Sequence, residues 1–466
     1  MYKEYADFAL DFLKKKNVDY GEVRLEEHDG DAVLLKNGAV EISGFDNSIG
    51  MGIRFLTKNS LGFVAINQFD KIKIKNVLEK GLRLVKKGSK LSDHISLSNE
   101  KIYKKKYKVY QKVKLNDVGI DEKIKLLSDV DNCVEESLGR YLSLTTGTTK
   151  KYLITTEGAR INSEIPLSNF FGVLTVEVNG RTAQRHLQFG NKGGYEFIRK
   201  WRLAEVLSDE YKVLRESLEK AERYPKGKID LVVGPEITGI MVHESVGHPL
   251  EADRIFGREA AQAGESFVHR DMVGTKYGSE HVSIVDDPTL ENSPGFYLFD
   301  DEGVKTRRRI LVKNGIVNEF LHNRETAAVM GVKSNGAARA ENYDKEVIVR
   351  MGNTFLLPGS YSWHELIENI KLGVYMKSFT EWNIDDKRYQ QKYVGSEAYL
   401  IKNGKLKHPI FRPVIEITTP ALWNSIDAVG RKLKLDCASC GKGEPMQGAP
   451  VNLGGPVMRI RDVRLS

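Results

Sequence analysis

Met241-Val242-His243-Glu244-Ser245-Val246-Gly247-His248-Pro249-Leu250-Glu251-Ala252-Asp253 sets two histidines and a carboxylate within six residues of a segment with helical character. The apolar run Ile229 to Val233 just before it reads as a buried strand. Gly234-Pro235 then turns the chain, and Pro235 suits a first helical position, where a missing N–H costs little. The histidine spacing is H-E-x-x-x-H, one residue longer than the common zinc motif H-E-x-x-H. On a regular helix, at about 100° per residue, His243 and His248 project about 140° apart, whereas an i, i+4 pair is only about 40° apart. The two imidazoles can meet only if the helix carries an extra residue, as in a π-bulge, or stops before His248. Gly247 and Pro249 both disfavour continuation. An ordinary helix end with two separately satisfied histidines remains the other reading of this spacing.

The chain around this segment has 466 residues, enough for two domains. With 41% hydrophobic and 29% charged residues it can bury proper cores. No apolar run approaches the roughly 20 residues that span a bilayer, so no membrane partner is expected. Met1 to Lys16 mixes Asp7 and Asp11 with Phe8, Phe12 and Leu13, an amphipathic helix and not a signal peptide. Three cysteines argue against a disulfide framework and for a reducing, cytoplasmic setting. The net charge of +8 raises the question of nucleic acid. Its densest patch, Lys101 to Lys114, holds seven lysines and three tyrosines but no arginine. It reads as a solvated connector with its tyrosines packed down, and nucleic acid is not the expected partner.

The elements follow from periodicity. Helical spacing marks Lys71 to Lys87, Asp117 to Gly139 (with Cys133 as a small core residue), Glu196 to Glu222 and Glu365 to Lys371. Asn37-Gly38, Asn179-Gly180, Asn314-Gly315 and Asn403-Gly404 lie between alternating segments, where tight hairpins demand positive φ. Further strands are expected at His281 to Asp286, Phe296 to Phe299 and Val414 to Thr418. Many short strands joined by hairpins predict an α+β fold, not a doubly wound one. The expected division falls at Tyr224 to Gly227. Residues 1–225 form an N-terminal domain of antiparallel sheet with helices. Residues 226–466 form a β-rich antiparallel domain carrying the metal-binding helix.

Two histidines do not make a zinc site; a third protein ligand is needed. Cys437 and Cys440, in Asp436-Cys-Ala-Ser-Cys-Gly-Lys442, are the candidates. One cysteine gives a two-histidine, one-cysteine set with the fourth position open to water. Both give a closed, structural set. Ordinary placement is expected for the other histidines.

At this point the residues resemble a known family. The chain is similar to the TldD/PmbA metallopeptidases, also called modulators of DNA gyrase. The likeness is dense from Ile229 to Val463. It is carried by His243-Glu-Ser-Val-Gly-His248-Pro-Leu-Glu-Ala-Asp253, Val285-Asp-Asp-Pro-Thr, Asp300-Asp-Glu-Gly303 and Ala340-Glu-Asn-Tyr343. Arg350-Met-Gly-Asn-Thr354, Ser396-Glu-Ala-Tyr-Leu-Ile401 and Cys440-Gly-Lys continue it, with a looser match through Ile49-Gly-Met-Gly-Ile-Arg54. The resemblance implies that His243, His248 and Cys440 bind zinc and that Glu244 is the catalytic base. It implies a peptidase of the active TldD type acting on small or unfolded peptides within an enclosed cavity. Its expected state is a homodimer, or a heterodimer with a TldE/PmbA-type paralogue lacking the motif. Asp253, Tyr343 and Asn353 lie in shared motifs and are expected to support the ligands or touch substrate. Pro249 stands where relatives more often have glycine, and Cys437 is not an expected cysteine. Two alternatives stay open: a zinc-stabilised, non-catalytic interaction protein with Cys437 as fourth ligand, and a DNA- or gyrase-associated modulator using Lys101 to Lys114.

Overall fold

Four long strands, Tyr20–Lys36, Ala39–Thr57, Gly139–Thr155 and Arg160–Val178, form the first sheet of the computed structural model, which describes residues 2–89, 94–224, 226–257 and 265–465. Pro225, at the expected domain boundary, lies outside the described residues. Ser60–Ile66 closes one edge of this sheet. The other edge is shared by Lys104–Lys108, running parallel to Arg160–Val178, and by the antiparallel strand Arg181–Asn191. Strands of 17 to 19 residues are long enough to serve two cores. At one end Val23, Leu25, Ile53 and Phe55 pack under the helices Lys3–Lys15 and Lys71–Gly88. At the other, Val33, Leu35, Leu142 and Phe170 pack against Ile120–Asn132 and Leu203–Lys220.

The second half holds a nine-stranded and a six-stranded sheet. Gly227–Val233 lies inside the larger one, antiparallel to Met458–Leu465 and parallel to Leu372–Met376. Flanked on both sides, it is apolar along Ile229 and Leu231 to Val233, as a doubly covered strand requires. It runs through Gly234 into the helix Pro235–Val242, with proline in its first turn. That helix lies on Gln447–Gly455 of the six-stranded sheet. A Cβ at Gly239 would sit 2.6 Å from Leu453 Cδ1 and 2.8 Å from the Gly454 nitrogen, so only glycine permits this approach. The fold is thus α+β with predominantly antiparallel sheets, as expected, interrupted by three parallel pairings. No helix among the described residues is long and apolar enough to cross a membrane.

The four Asn-Gly turns all adopt positive φ at both residues, as hairpin chemistry demands. Other expectations need correction. The helix expected from Asp117 to Gly139 spans only Ile120–Asn132, because Gly139 already begins a strand. Cys133, at its C-terminal cap, is exposed and not a core residue. The helix expected over Glu196 to Glu222 is broken into Glu196–Lys200 and Leu203–Lys220, with Arg202 between them in the left-handed region at φ 52°. Part of the lysine-rich connector is an edge strand, Lys104–Lys108, whose lysines face solvent. Tyr103 and Tyr107 do pack down, 5.2 and 6.1 Å from the Phe299 ring, while Tyr110 is exposed. Phe296 to Phe299 forms no strand, only an isolated bridge from Phe299 to Lys305.

Candidate metal centre

The α-helix Pro235–Val242 becomes a π-helical turn over His243–Gly247 and then a 3-10 turn over His248–Leu250. The His248 N–H donates to the His243 carbonyl, the i to i+5 bond of a π-turn. This extra residue brings the two imidazole centroids to 4.7 Å, with their planes 76° apart. Side chains satisfy the backbone that the bulge perturbs. Tyr277 Oη donates to the Ser245 carbonyl, Ser245 Oγ donates to the Met241 carbonyl, and Trp423 Nε1 donates to Ser245 Oγ at 2.9 Å. Gly247 leaves room for Met351: a Cβ there would fall on Met351 Sδ, and Met351 is buried and would have to shift.

Cys440 reaches the histidines from the strand Lys434–Lys442. Its Sγ lies 3.3 Å from His248 Nε2, and one donor atom from each of His243, His248 and Cys440 falls within 4.8 Å of the others. All three residues are buried. Burial opposes ionisation of the Cys440 thiol, but the His248 and His243 imidazoles and Arg350 outweigh it and hold the thiol well below its ordinary value. His243 is raised despite its burial, chiefly by that same thiolate. The arrangement is a buried thiolate between two imidazoles, and His243 Nδ1 has no hydrogen-bond partner among the described residues. Two imidazoles and a soft thiolate make a donor set suited to zinc, so the residues present fit a metal ion.

The outer partners of the site are charged and buried. His248 Nδ1 is 2.9 Å from Glu251 Oε2, which fixes the ring and leaves Nε2 towards Cys440. Burial pushes Glu251 up, but Lys442, His248 and Arg254 overcome this and hold it well below the carboxylate range. Lys442 Nζ sits 3.2 Å from Glu251 and bridges to both Asp253 oxygens at 2.7 and 2.8 Å. Asp253 is thereby joined to Glu251 and His248 through Lys442, while its Oδ2 also accepts the Val349 N–H. Arg350 anchors the cysteine strand by donating to the Cys440 and Gln447 carbonyls.

Two further expected residues, Asn353 and Tyr343, are placed by other contacts. Asn353 is buried as a brace, accepting from the Gly295 and Asn452 N–H groups and donating to the Asp287 carbonyl. The Tyr343 ring lies over Gly50 of the first sheet, where a Cβ would come within 2.2 Å of it. Cys437 is three residues from Cys440 on the same strand, so the pleat turns it to the opposite face. There its Sγ meets Asn169 at 3.9 Å and backs onto Gly190, and burial pushes its thiol up to about 12. It shares no site with Cys440. Glu244 stands beside His243 with Arg388 Nη1 on its Oε2 at 2.5 Å, a partner that sequence reasoning missed. Glu251 and Lys442 were legible as residues of the quoted motifs, whereas no local pattern marks Arg388.

Three family models cover the chain: PmbA/TldA metallopeptidase domain 1 over residues 21–90, the central domain over 113–223 and the C-terminal domain over 226–466. A metalloprotease of Methanocaldococcus jannaschii is 32% identical over 450 residues, covering 95% of this chain and 96% of its own. A metalloprotease TldD homolog of Buchnera aphidicola is 27% identical over 472 residues, covering 98% and 94%. Among solved structures, TldE from Thermococcus kodakarensis shares the fold with a TM-score of 0.74 at 15% identity, covering 100% of this chain and 99% of its own.

Proposed function

Because this chain belongs to the PmbA/TldA metallopeptidase family it is a metalloprotease, and we propose that it is a zinc peptidase of the TldD type whose catalytic base is Glu244. The observation that carries this reading is the convergence of His243, His248 and Cys440, within 4.8 Å of one another, directly beside Glu244. In it His243, His248 and Cys440 are the ligands. Zinc held by them would supply Lewis acidity for a carbonyl oxygen and would lower the pKa of water towards about 7. Glu244 takes the proton of the attacking water as its oxygen adds to the carbonyl carbon. It then passes that proton to the leaving nitrogen as the C–N bond breaks, giving a carboxylic acid and an amine.

The substrates in this reading are small or unfolded peptides. Lys434–Lys442, which carries Cys440, is the edge strand of its sheet, where an extended peptide can add by backbone pairing. Beside it lies a cavity of about 400 Å³ between the two halves, lined by Ala438, Ser439 and Pro450 on one side and Tyr107 and Lys151 on the other. Residues 1–225 then enclose substrate and serve dimerisation, and 226–466 carry the chemistry. The active state is a homodimer or a heterodimer with a TldE/PmbA-type paralogue, in the cytoplasm. The placement of Cys437 on the opposite face argues against a closed, purely structural zinc set. The test is Glu244→Ala, which should keep its bound metal and lose peptide cleavage; retained cleavage removes Glu244 from its role.

A further inference from the structure

Arg388 combines its contact with Glu244 and a left-handed backbone that it shares with few other long side chains. It lies between the strands Phe379–Ile384 and Gln390–Gly395, at the tip of a hairpin, with φ at 64°. This left-handed conformation suits glycine and is rare for a residue with a side chain. The surroundings over-determine it. The Arg388 N–H donates to the Asp385 carbonyl, and the Arg388 carbonyl accepts from Thr419 Oγ1 at 2.7 Å. The Asp385 carboxylate takes the N–H groups of Tyr389 and Gln390, and the Phe267 N–H donates to the Lys387 carbonyl. Residues held in this way by their surroundings cluster at functional sites.

The side chain supports the same conclusion. The guanidinium is largely buried and Nη1 donates to Glu244 Oε2, while Nε is buried with no acceptor among the described residues. Arg388 thus fastens one carboxylate oxygen of Glu244 and leaves Oε1 to receive a proton. An unfastened glutamate would sample several rotamers, few of them aimed at the attacking water. Near-attack geometry is sensitive enough that a misplacement of about 1 Å costs on the order of 100-fold in rate.

We infer that Arg388 is a positioning residue for peptide hydrolysis, holding the Glu244 carboxylate by one oxygen from a hairpin tip of the nine-stranded sheet. This rests on the reading of Glu244 as base. The decisive variant is Arg388→Gly, because glycine accepts the left-handed backbone without strain. Its thermal midpoint should not fall by more than a few degrees, and its bound metal per chain should match that of the wild type. On a quenched-fluorescence peptide its kcat should fall about 100-fold with KM within about threefold, and added guanidinium ion should restore part of the loss. Arg388→Lys, which keeps the charge but not the planar fork, should lie between the two. In a Glu244→Gln background, Arg388→Gly should cost nothing further, because the residue acts only through that carboxylate.

Unchanged or increased kcat in Arg388→Gly overturns the inference, as does an undiminished further loss in the Glu244→Gln background. A folded Arg388→Gly that loses activity but is not rescued by guanidinium also overturns it. Should Glu244→Gln itself remain fully active, the assignment of the base fails first and takes this inference with it. An inactive Glu244→Gln beside a fully active Arg388→Gly refutes the positioning role alone.

Discussion

Replacing Glu251 with glutamine tests how a metal centre depends on a charge that touches no metal. The substitution keeps the shape and leaves an oxygen able to accept from His248 Nδ1, so the hydrogen bond itself can persist. What disappears is the negative charge that faces Arg254 Nε at 3.0 Å and Lys442 Nζ at 3.2 Å, all fully buried. Removing one partner of a buried ion pair costs about 3–5 kcal/mol. Lys442 keeps both oxygens of Asp253 and the Val349 carbonyl, which places the expected loss near the lower end, about 3 kcal/mol. The His248 ring also loses a basic partner, and such outer carboxylates are worth about 10–100-fold in metal affinity. Urea unfolding of metal-free protein measures the first effect, and chelator competition on the folded protein measures the second. A stability change below about 1 kcal/mol together with unchanged metal affinity would refute the reasoning, because it would mean that the buried charge balances nothing.

Further outcomes follow from the same geometry. Cys440→Ser should strip the metal, while Cys437→Ser should leave metal content unchanged, as measured by elemental analysis of purified protein; equal loss in both would contradict the opposite-face placement. Gly247→Ala should destabilise by about 1–3 kcal/mol through overpacking against Met351, and a second change of Met351→Ala should relieve much of that cost in thermal melts. Acid should loosen the loop around Asp287, whose carboxylate is held below its ordinary value because Thr289 and Arg308 outweigh its burial. Its contribution is present above the unfolded value and is lost as pH falls through the lower folded value. Asp287→Asn should therefore flatten the low-pH limb of a stability profile and leave the neutral region less stable; an unaltered limb refutes the assignment.

Most of the candidate metal centre was legible in the sequence. The H-E-x-x-x-H spacing forces a choice between separated histidines and a distorted helix, because the period of an α-helix is fixed by its hydrogen bonds. Gly247 and Pro249 indicate where the distortion must fall, and Asn-Gly pairs declare their hairpins because few other residues tolerate positive φ twice in succession. Local chemistry is legible wherever the cause is local. Boundaries set by other parts of the chain were not: after Ile120–Asn132 the chain turns over 133–138 to enter the sheet at Gly139, and Lys104–Lys108 is a strand only because Arg160–Val178 offers an open edge.

The tertiary structure alone decided which cysteine faces the histidines, since alternation on Lys434–Lys442 separates two thiols that the sequence left equivalent. It also decided that Asn353 braces strands and that the Tyr343 ring lies over Gly50 of the first sheet. Above all it brought Arg388 to Glu244 across 144 residues of chain. A single arginine in Asp385-Asp386-Lys387-Arg388-Tyr389 has no periodicity or spacing to read. Its meaning comes from a hairpin that folds back over a helix end, and long-range packing of that kind leaves no local trace in sequence.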